Sequence, residues 1–210
     1  MAGLFNWNSP VIQFFNKIVD MIFLNILTLI CSIPLFTIGA AQAALYDVTG
    51  RIMRDEGTVW SCFWKAFRSN FKQATGIWLV LAPIEAITGY ILLFLLLSQE
   101  AANMLALVCA CIMLLLWSGT LVWAFPLQAR FINCVKSTLH NAFYCAVSHL
   151  PKTIVMVLFN AFPWLLFLLS PRYFLGLMPL WCLIWFSLVA YFDLMLLKKP
   201  LSKLEELASA

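Results

Sequence analysis

Ser32-Ile33-Pro34-Leu35-Phe36-Thr37-Ile38-Gly39-Ala40-Ala41-Gln42-Ala43-Ala44-Leu45-Tyr46 is the stretch on which the fold turns. An uncharged run that begins at Met21 reaches it, Pro34 and Gly39 interrupt it, small residues come next, and the first positive cluster opens at Arg51 and Arg54. Proline lacks a backbone donor and cannot continue a helix, so Pro34 marks a helix end. The stretch reads as a membrane helix that reaches the cytoplasmic surface and turns along it, with Pro34 and Gly39 as the structural turn. About 20 apolar residues cross the hydrocarbon at about 1.5 Å each, which sets a first span over residues 18–36. Upstream, Ser9-Pro10 reads as a helix cap followed by proline at the first helical position.

Composition agrees with a membrane chain. Of 210 residues, 64% are hydrophobic and 10% charged, with a mean hydropathy of +0.95, whereas soluble domains carry about 25% charged residues. The expectation is an all-α, polytopic membrane protein forming a single domain over residues 1–210. Four further spans are read at 76–97, 103–124, 153–169 and 174–197. Cytoplasmic linkers occupy 37–75 and 125–152, and a cytoplasmic tail 198–210. A cleaved signal peptide ending near Ala41-Gln42-Ala43 is the rival reading, but cleavage would export a strongly basic segment.

The distribution of charge sets the expected orientation. Eleven of the thirteen Lys and Arg residues fall on one side: Arg51, Arg54, Lys65, Arg68 and Lys72, then Arg130, Lys136 and Lys152, then Lys198, Lys199 and Lys203. Lys17 and Arg172 are left for the other side, so the N-terminus is expected outside and the C-terminus inside. Outer connections are then short, at 98–102 and 170–173. Nucleic acid is not an expected partner. The seven cysteines lack metal or disulfide spacing and read as reduced packing residues, and His140 and His149 have no neighbouring carboxylate. No metal and no cofactor are expected.

Both long linkers carry helical periodicity. Trp60, Phe63, Trp64, Phe67 and Phe71 share one stripe while Lys65, Arg68 and Lys72 lie off it. Val135, Leu139, Ala142, Phe143 and Ala146 make a second stripe opposite Lys136, His140 and Asn141. Such helices suit the cytoplasmic interface, with aromatic rings at headgroup depth and basic tips toward anionic lipid. The same residues also form a candidate partner contact. Asp55-Glu56-Gly57-Thr58 separates the aromatic helix from the small-residue helix before it. A weak internal repeat pairs Pro34 with Pro126, each expected to mark a turn ahead of a surface helix.

Four segments carry a family resemblance. Ser32-Ile33-Pro34 through Thr37-Ile38-Gly39 to Ala43-Ala44-Leu45-Tyr46, and Phe63-Trp64-Lys65-Ala66-Phe67 with Asn70-Phe71-Lys72-Gln73-Ala74, resemble the YesL-like family of bacterial membrane proteins. Phe125-Pro126-Leu127 with Arg130-Phe131, and Leu139 to Phe143 followed by Leu150-Pro151, resemble its second half. The resemblance implies a bacterial cytoplasmic membrane protein of Gram-positive type, associated with carbohydrate ABC importers. It brings no catalytic residues.

Among single residues Glu85 stands out. An acid near the middle of a span costs about 2.5 to 3.5 kcal/mol and faces the protein interior, as a proton or ligand site or as a neutral acid bonded to a neighbouring helix. Asp20 and Asp193 read as interfacial anchors. Ser118-Gly119-Thr120, between Trp117 and Trp123, reads as close helix packing or as part of a sugar-binding cleft. The leading functional expectation is a non-enzymatic accessory subunit that touches carbohydrate ABC importer permease subunits. A small transporter or ligand-binding protein using Glu85 is the alternative. A membrane-embedded enzyme ranks last, because no nucleophile and base cluster is visible and no phosphate loop is present.

Overall fold

The computed structural model describes residues 10–97, 104–131 and 134–209. Its elements are α1 (Pro10–Ser32), a 3₁₀ turn (Leu35–Thr37), α2 (Ile38–Met53), α3 (Val59–Leu97), α4 (Met104–Arg130), α5 (Val135–Ser148), α6 (Leu150–Leu169), α7 (Pro171–Gly176), α8 (Met178–Leu180), a π turn (Trp181–Trp185) and α9 (Phe186–Ser209). No strand occurs among the described residues. Five helical runs are long and apolar enough to cross a membrane: Val11–Ser32, Val59–Leu97, Met104–Arg130, Leu150–Leu169 and Met178–Ser202. This is an all-α, multi-pass membrane protein. Ser9, the expected 98–102 connection and Asn103 lie outside the described residues.

Pro34 breaks the chain as its chemistry requires. Helix α1 ends at Ser32, and the Thr37 hydroxyl lies 2.6 Å from the Cys31 carbonyl and 2.7 Å from that of Pro34, covering acceptors that the helix end leaves open. Helix α2, however, is not the expected surface element. Eleven of its sixteen residues are buried, and it packs against α1, α3, α4 and α9. Small side chains explain the placement. A Cβ at Gly39 would lie 2.7 Å from Trp78 Cβ and against the Ala74 backbone carbonyl, so only glycine lets α2 and α3 approach this closely. The alanine run turned toward four neighbours is a core, not a membrane-surface face.

Helices α1 and α2 form an antiparallel hairpin. Lys17 Nζ lies 3.0 Å from Asp55 Oδ1, which joins the start of α1 to the α2–α3 connection. Lys17 and residues 55–56 therefore lie at the same end of the hairpin, which bears on the expectation that they lie on opposite faces of a membrane. At the other end of the hairpin Trp78 Nε1 donates to the Leu35 carbonyl at 2.9 Å, while Ile33, Leu35 and Phe36 are exposed at the apolar tip.

The second correction concerns α3. The aromatic helix and the second span are one 39-residue helix without a break at residue 75. At about 1.5 Å per residue it measures roughly 58 Å, nearly twice a bilayer's apolar core. Its first half flanks the hairpin, and its second half continues past the hairpin tip. The Asp55-Glu56-Gly57-Thr58 connection separates α2 from α3 as expected, with Asp55 at φ 58° and Gly57 at φ +73° making the reversal.

Pro126 is not a turn. It lies inside α4, which runs on to Arg130 instead of ending at residue 124, and it is buried with its neighbours from Val122 to Gln128. The turn at Pro34 is thus used once, and the expected pairing of the two prolines does not hold. In α5 Ala142 and Ala146 of the expected stripe are buried and Val135 and Leu139 half-buried, with Lys136, His140 and Asn141 exposed; Thr138 and Cys145 join the buried face, and Phe143 is exposed. Buried amides tie these helices together. Gln128 Nε2 donates to Gln73 Oε1 at 2.7 Å and Thr138 Oγ1 donates to Gln128 Oε1 at 2.9 Å, linking α3, α4 and α5. Asn25 does the same for α1 and the last helix. Its Nδ2 lies 3.3 and 2.6 Å from the carbonyls of Trp181 and Cys182 in the π turn, and its Oδ1 accepts from Ser187 N at 3.1 Å.

Candidate functional site

A half-open cavity of about 480 Å³ is bounded by α1, α2, α3, α4, α6 and the segment from the π turn into α9. Most of its wall is apolar or aromatic, including Trp78, Phe125, Trp164, Trp185 and Phe186. Polar atoms converge from helices far apart in sequence: Thr28 and Ser32 from α1, Gln42 and Tyr46 from α2, Glu85 from α3, Ser118 from α4 and Asn160 from α6. Concave, mainly apolar sites with a few convergent polar groups are the usual form of a small-molecule site.

Glu85 is one pole of the cavity. The Ser118 hydroxyl donates to Glu85 Oε1, while Oε2 is buried without a hydrogen-bond partner. The α3–α4 contact supplies this geometry, and Pro83, two residues earlier, is exposed within an unbroken helix. Asp193 forms the other pole, behind the cavity wall. Tyr46 donates to Asp193 Oδ2 at 2.7 Å and Asn160 Nδ2 to the same oxygen at 3.2 Å; Oδ1 is buried without a partner. Asp193 is completely buried, so the interfacial-anchor reading does not hold for it; Asp20 is exposed, as an anchor requires. Of the Ser118-Gly119-Thr120 trio only Ser118 lines the cavity. A Cβ at Gly119 would lie 2.6 Å from the Thr153 side chain, and Thr120 donates to the Leu116 carbonyl. Trp123 is buried with its indole on Thr153 Oγ1 at 2.9 Å, so it belongs to the packing and not to a cleft.

Along the first half of α3 the expected contact residues separate into two groups. Phe63 is fully buried in the core and is unavailable to a partner. Trp64, Phe67 and Phe71 are half-buried, and rings at 5.7, 5.8 and 5.5 Å link Trp60 to Trp64, Trp64 to Phe67 and Phe67 to Phe71. Trp60, Lys65, Arg68 and Lys72 are exposed along one edge. Shallow hollows there, lined by Trp60, Ser61 and Lys65 and by Arg68, Phe71 and Lys72, combine positive charge with aromatic surface, the chemistry that suits an anionic headgroup.

A family model described as "Protein of unknown function, DUF624" matches residues 21–97. The matched segment covers the hairpin from Met21 onward, the core helix α2, and α3 with Glu85. It includes the Ser32–Tyr46 and Phe63–Ala74 segments; those around Pro126 and Leu139 lie outside it. No curated protein and no solved structure matches the chain.

Glu85 and Ser118 stand out in the sequence, whereas Tyr46 and Asn160 do not. Tyr46 and Asp193 are 147 positions apart, and nothing local to either announces the pair. One signal was present: Asn160 and Asp193 are isolated polar residues in otherwise apolar runs, and such residues face the interior of a bundle. The seven cysteines are free thiols, and burial pushes that of Cys145 above its ordinary range, as befits an inert packing residue.

Proposed function

We propose that the protein is a non-enzymatic membrane protein that binds a small polar ligand in the bundle cavity, with Glu85 as the principal contact. The observation that carries this reading is Glu85 itself: a carboxyl that lines the cavity with one oxygen held by the Ser118 hydroxyl. Polar side chains from α1, α2, α4 and α6 converge with it on one mainly apolar cavity, the usual form of a small-molecule site. The test is native mass spectrometry of the purified chain. A small molecule that co-purifies with the wild type is expected to be lost from Glu85→Gln protein of unchanged helicity. Equal retention by both proteins sinks the reading.

A second reading is supported by the exposed edge of α3. Trp60, Lys65, Arg68 and Lys72 offer a surface to lipid and to a membrane partner, and the YesL-like resemblance implies that this partner is the permease of a carbohydrate ABC importer in a bacterial cytoplasmic membrane. The chain would then act as an accessory subunit. Affinity purification in mild detergent tests this: importer subunits should co-purify with the wild type and be depleted by Trp60→Ala with Arg68→Ala. Their absence from the wild-type eluate removes the reading. For orientation, the Lys17–Asp55 pair favours an α1–α2 hairpin that enters and leaves on one face, which puts both termini in the cytoplasm and leaves α3, α4, α6 and α8–α9 as complete crossings.

A further inference from the structure

We propose that the ligand of this cavity is an amphiphile, with a hydrocarbon chain and a compact head that carries no negative charge, and that it enters sideways from the bilayer. This rests on the ligand-binding reading of the cavity and gives that ligand its class and its route.

Depth selects first. The crossing helices line the cavity with residues 78–85 of α3, 118–125 of α4, 157–164 of α6 and 185–189 around the start of α9. None of these stretches exceeds eight residues, so the lining forms a band about 10 Å tall, a third of the roughly 30 Å apolar core. Ser118 and Asn160 lie near the middle of α4 and α6, which sets the band inside the spans and away from both of their ends. A half-open cavity at that depth opens to hydrocarbon and not to water.

The surroundings agree. Val80 and Ile87 on α3, Ile112 and Met113 on α4, and Leu158 and Leu168 on α6 are exposed around the band. Trp164 stands on the rim, 68% exposed. At another edge Trp78 is bonded to the Leu35 carbonyl of the hairpin tip, where Ile33, Leu35 and Phe36 are exposed and apolar. A water-soluble solute would have to shed its hydration in the bilayer to reach this mouth, and unpaired polar groups in an apolar medium are costly. An amphiphile is already dissolved there.

The wall suits both of its parts. Phe125, Val157 and Ala161 offer apolar surface to the chain. The indoles of Trp164 and Trp185 and the Gln42 amide have no hydrogen-bond partner among the described residues, so donors as well as acceptors are open to the head. No Lys, Arg or His lines the cavity, and a phosphate or carboxylate head would therefore be buried without a counter-charge.

The experiment is photolabelling of the full chain in dioleoylphosphatidylcholine nanodiscs with a monoacylglycerol that carries a diazirine in its chain, read by peptide mapping. Label is expected to concentrate on α6 around Ala161 and Trp164; excess monoolein should remove it, and the same excess of glycerol or of oleate should not. Ala161→Trp, which fills the cavity from a half-buried lining position, is expected to lose this label and keep the weaker labelling of exposed α3. Should that variant fail to fold, competition on the wild type decides alone. Label spread evenly over the lipid-facing helices, or not displaced by monoolein, overturns the amphiphile. Displacement by glycerol overturns the route through the bilayer, and displacement by oleate as complete as that by monoolein overturns the assignment of the head. The ligand-binding reading fails separately, when a small molecule that co-purifies with the wild type is retained equally by Glu85→Gln.

Discussion

At the residue scale two glycines of α2 and α3 have opposite roles, and substitution separates them. A Cβ at Gly39 meets the Ala74 carbonyl and the Trp78 Cβ, neither of which can turn aside as a flexible side-chain tip can, so α2 and α3 must move apart. Gly39→Ala is expected to destabilise the protein by about 1 to 3 kcal/mol, the usual range for an overpacked contact. Gly89 has nothing within 4 Å of the same position. Gly89→Ala is expected to be neutral or to stabilise by up to about 1 kcal/mol through helix propensity alone. Thermal unfolding of both variants in one detergent checks the pair; equal melting temperatures would show that the α2–α3 contact is not tight. Tyr46 is the third residue-scale case. Tyr46→Phe leaves the buried Asp193 with Asn160 as its remaining donor and is expected to cost about 1 to 3 kcal/mol, read by the same melt.

Among the elements, α3, α4 and α5 are locked by the Gln128 amide, which serves Gln73 and Thr138 at once. Gln128→Met keeps the volume but strands both partners, and about 1 to 3 kcal/mol of stability is expected to go. Adding Gln73→Met and Thr138→Val removes the stranded groups, so the triple variant should recover part of the loss; chemical denaturation of the single and triple variants tests the coupling. These helices were legible from hydrophobic period and length, because that signal needs only residues within one turn of each other. Continuity through residue 75 was not. Gly76 reads as a boundary in the sequence, whereas in the fold it sits mid-helix because Val135 of α5 packs over it, 3.2 Å from where a Cβ would stand. Likewise α2 looks like a surface helix by its position after a proline and becomes core because its small side chains admit four neighbours. The polar cavity had two legible members, Glu85 and Ser118. Tyr46, Asn160 and Asp193 meet only through the packing of three helices, which no local pattern encodes.

For the whole molecule, the consequence with the widest reach is how the chain enters its membrane. At this end of the chain the expected N-out orientation rests on Lys17 alone, and Lys17 pairs with Asp55 at 3.0 Å. If α1 crossed completely, α2 would have to return across the same thickness. Its 16 residues reach about 24 Å, short of the roughly 30 Å core. On the orientation proposed above, the apolar, exposed tip at Ile33, Leu35 and Phe36 belongs to a hairpin that dips in and comes back. Single cysteines in a background free of the native seven decide between the two. A membrane-impermeant maleimide applied to sealed cells should label Tyr173→Cys and spare both Asn16→Cys and Glu56→Cys; after permeabilisation all three should react. Labelling of Asn16→Cys from outside would restore the N-out arrangement and break the hairpin. Oxidation of a Lys17→Cys, Asp55→Cys double variant gives an independent check on the pairing itself: a rapid intramolecular crosslink requires the two positions to share a face, whichever face that is.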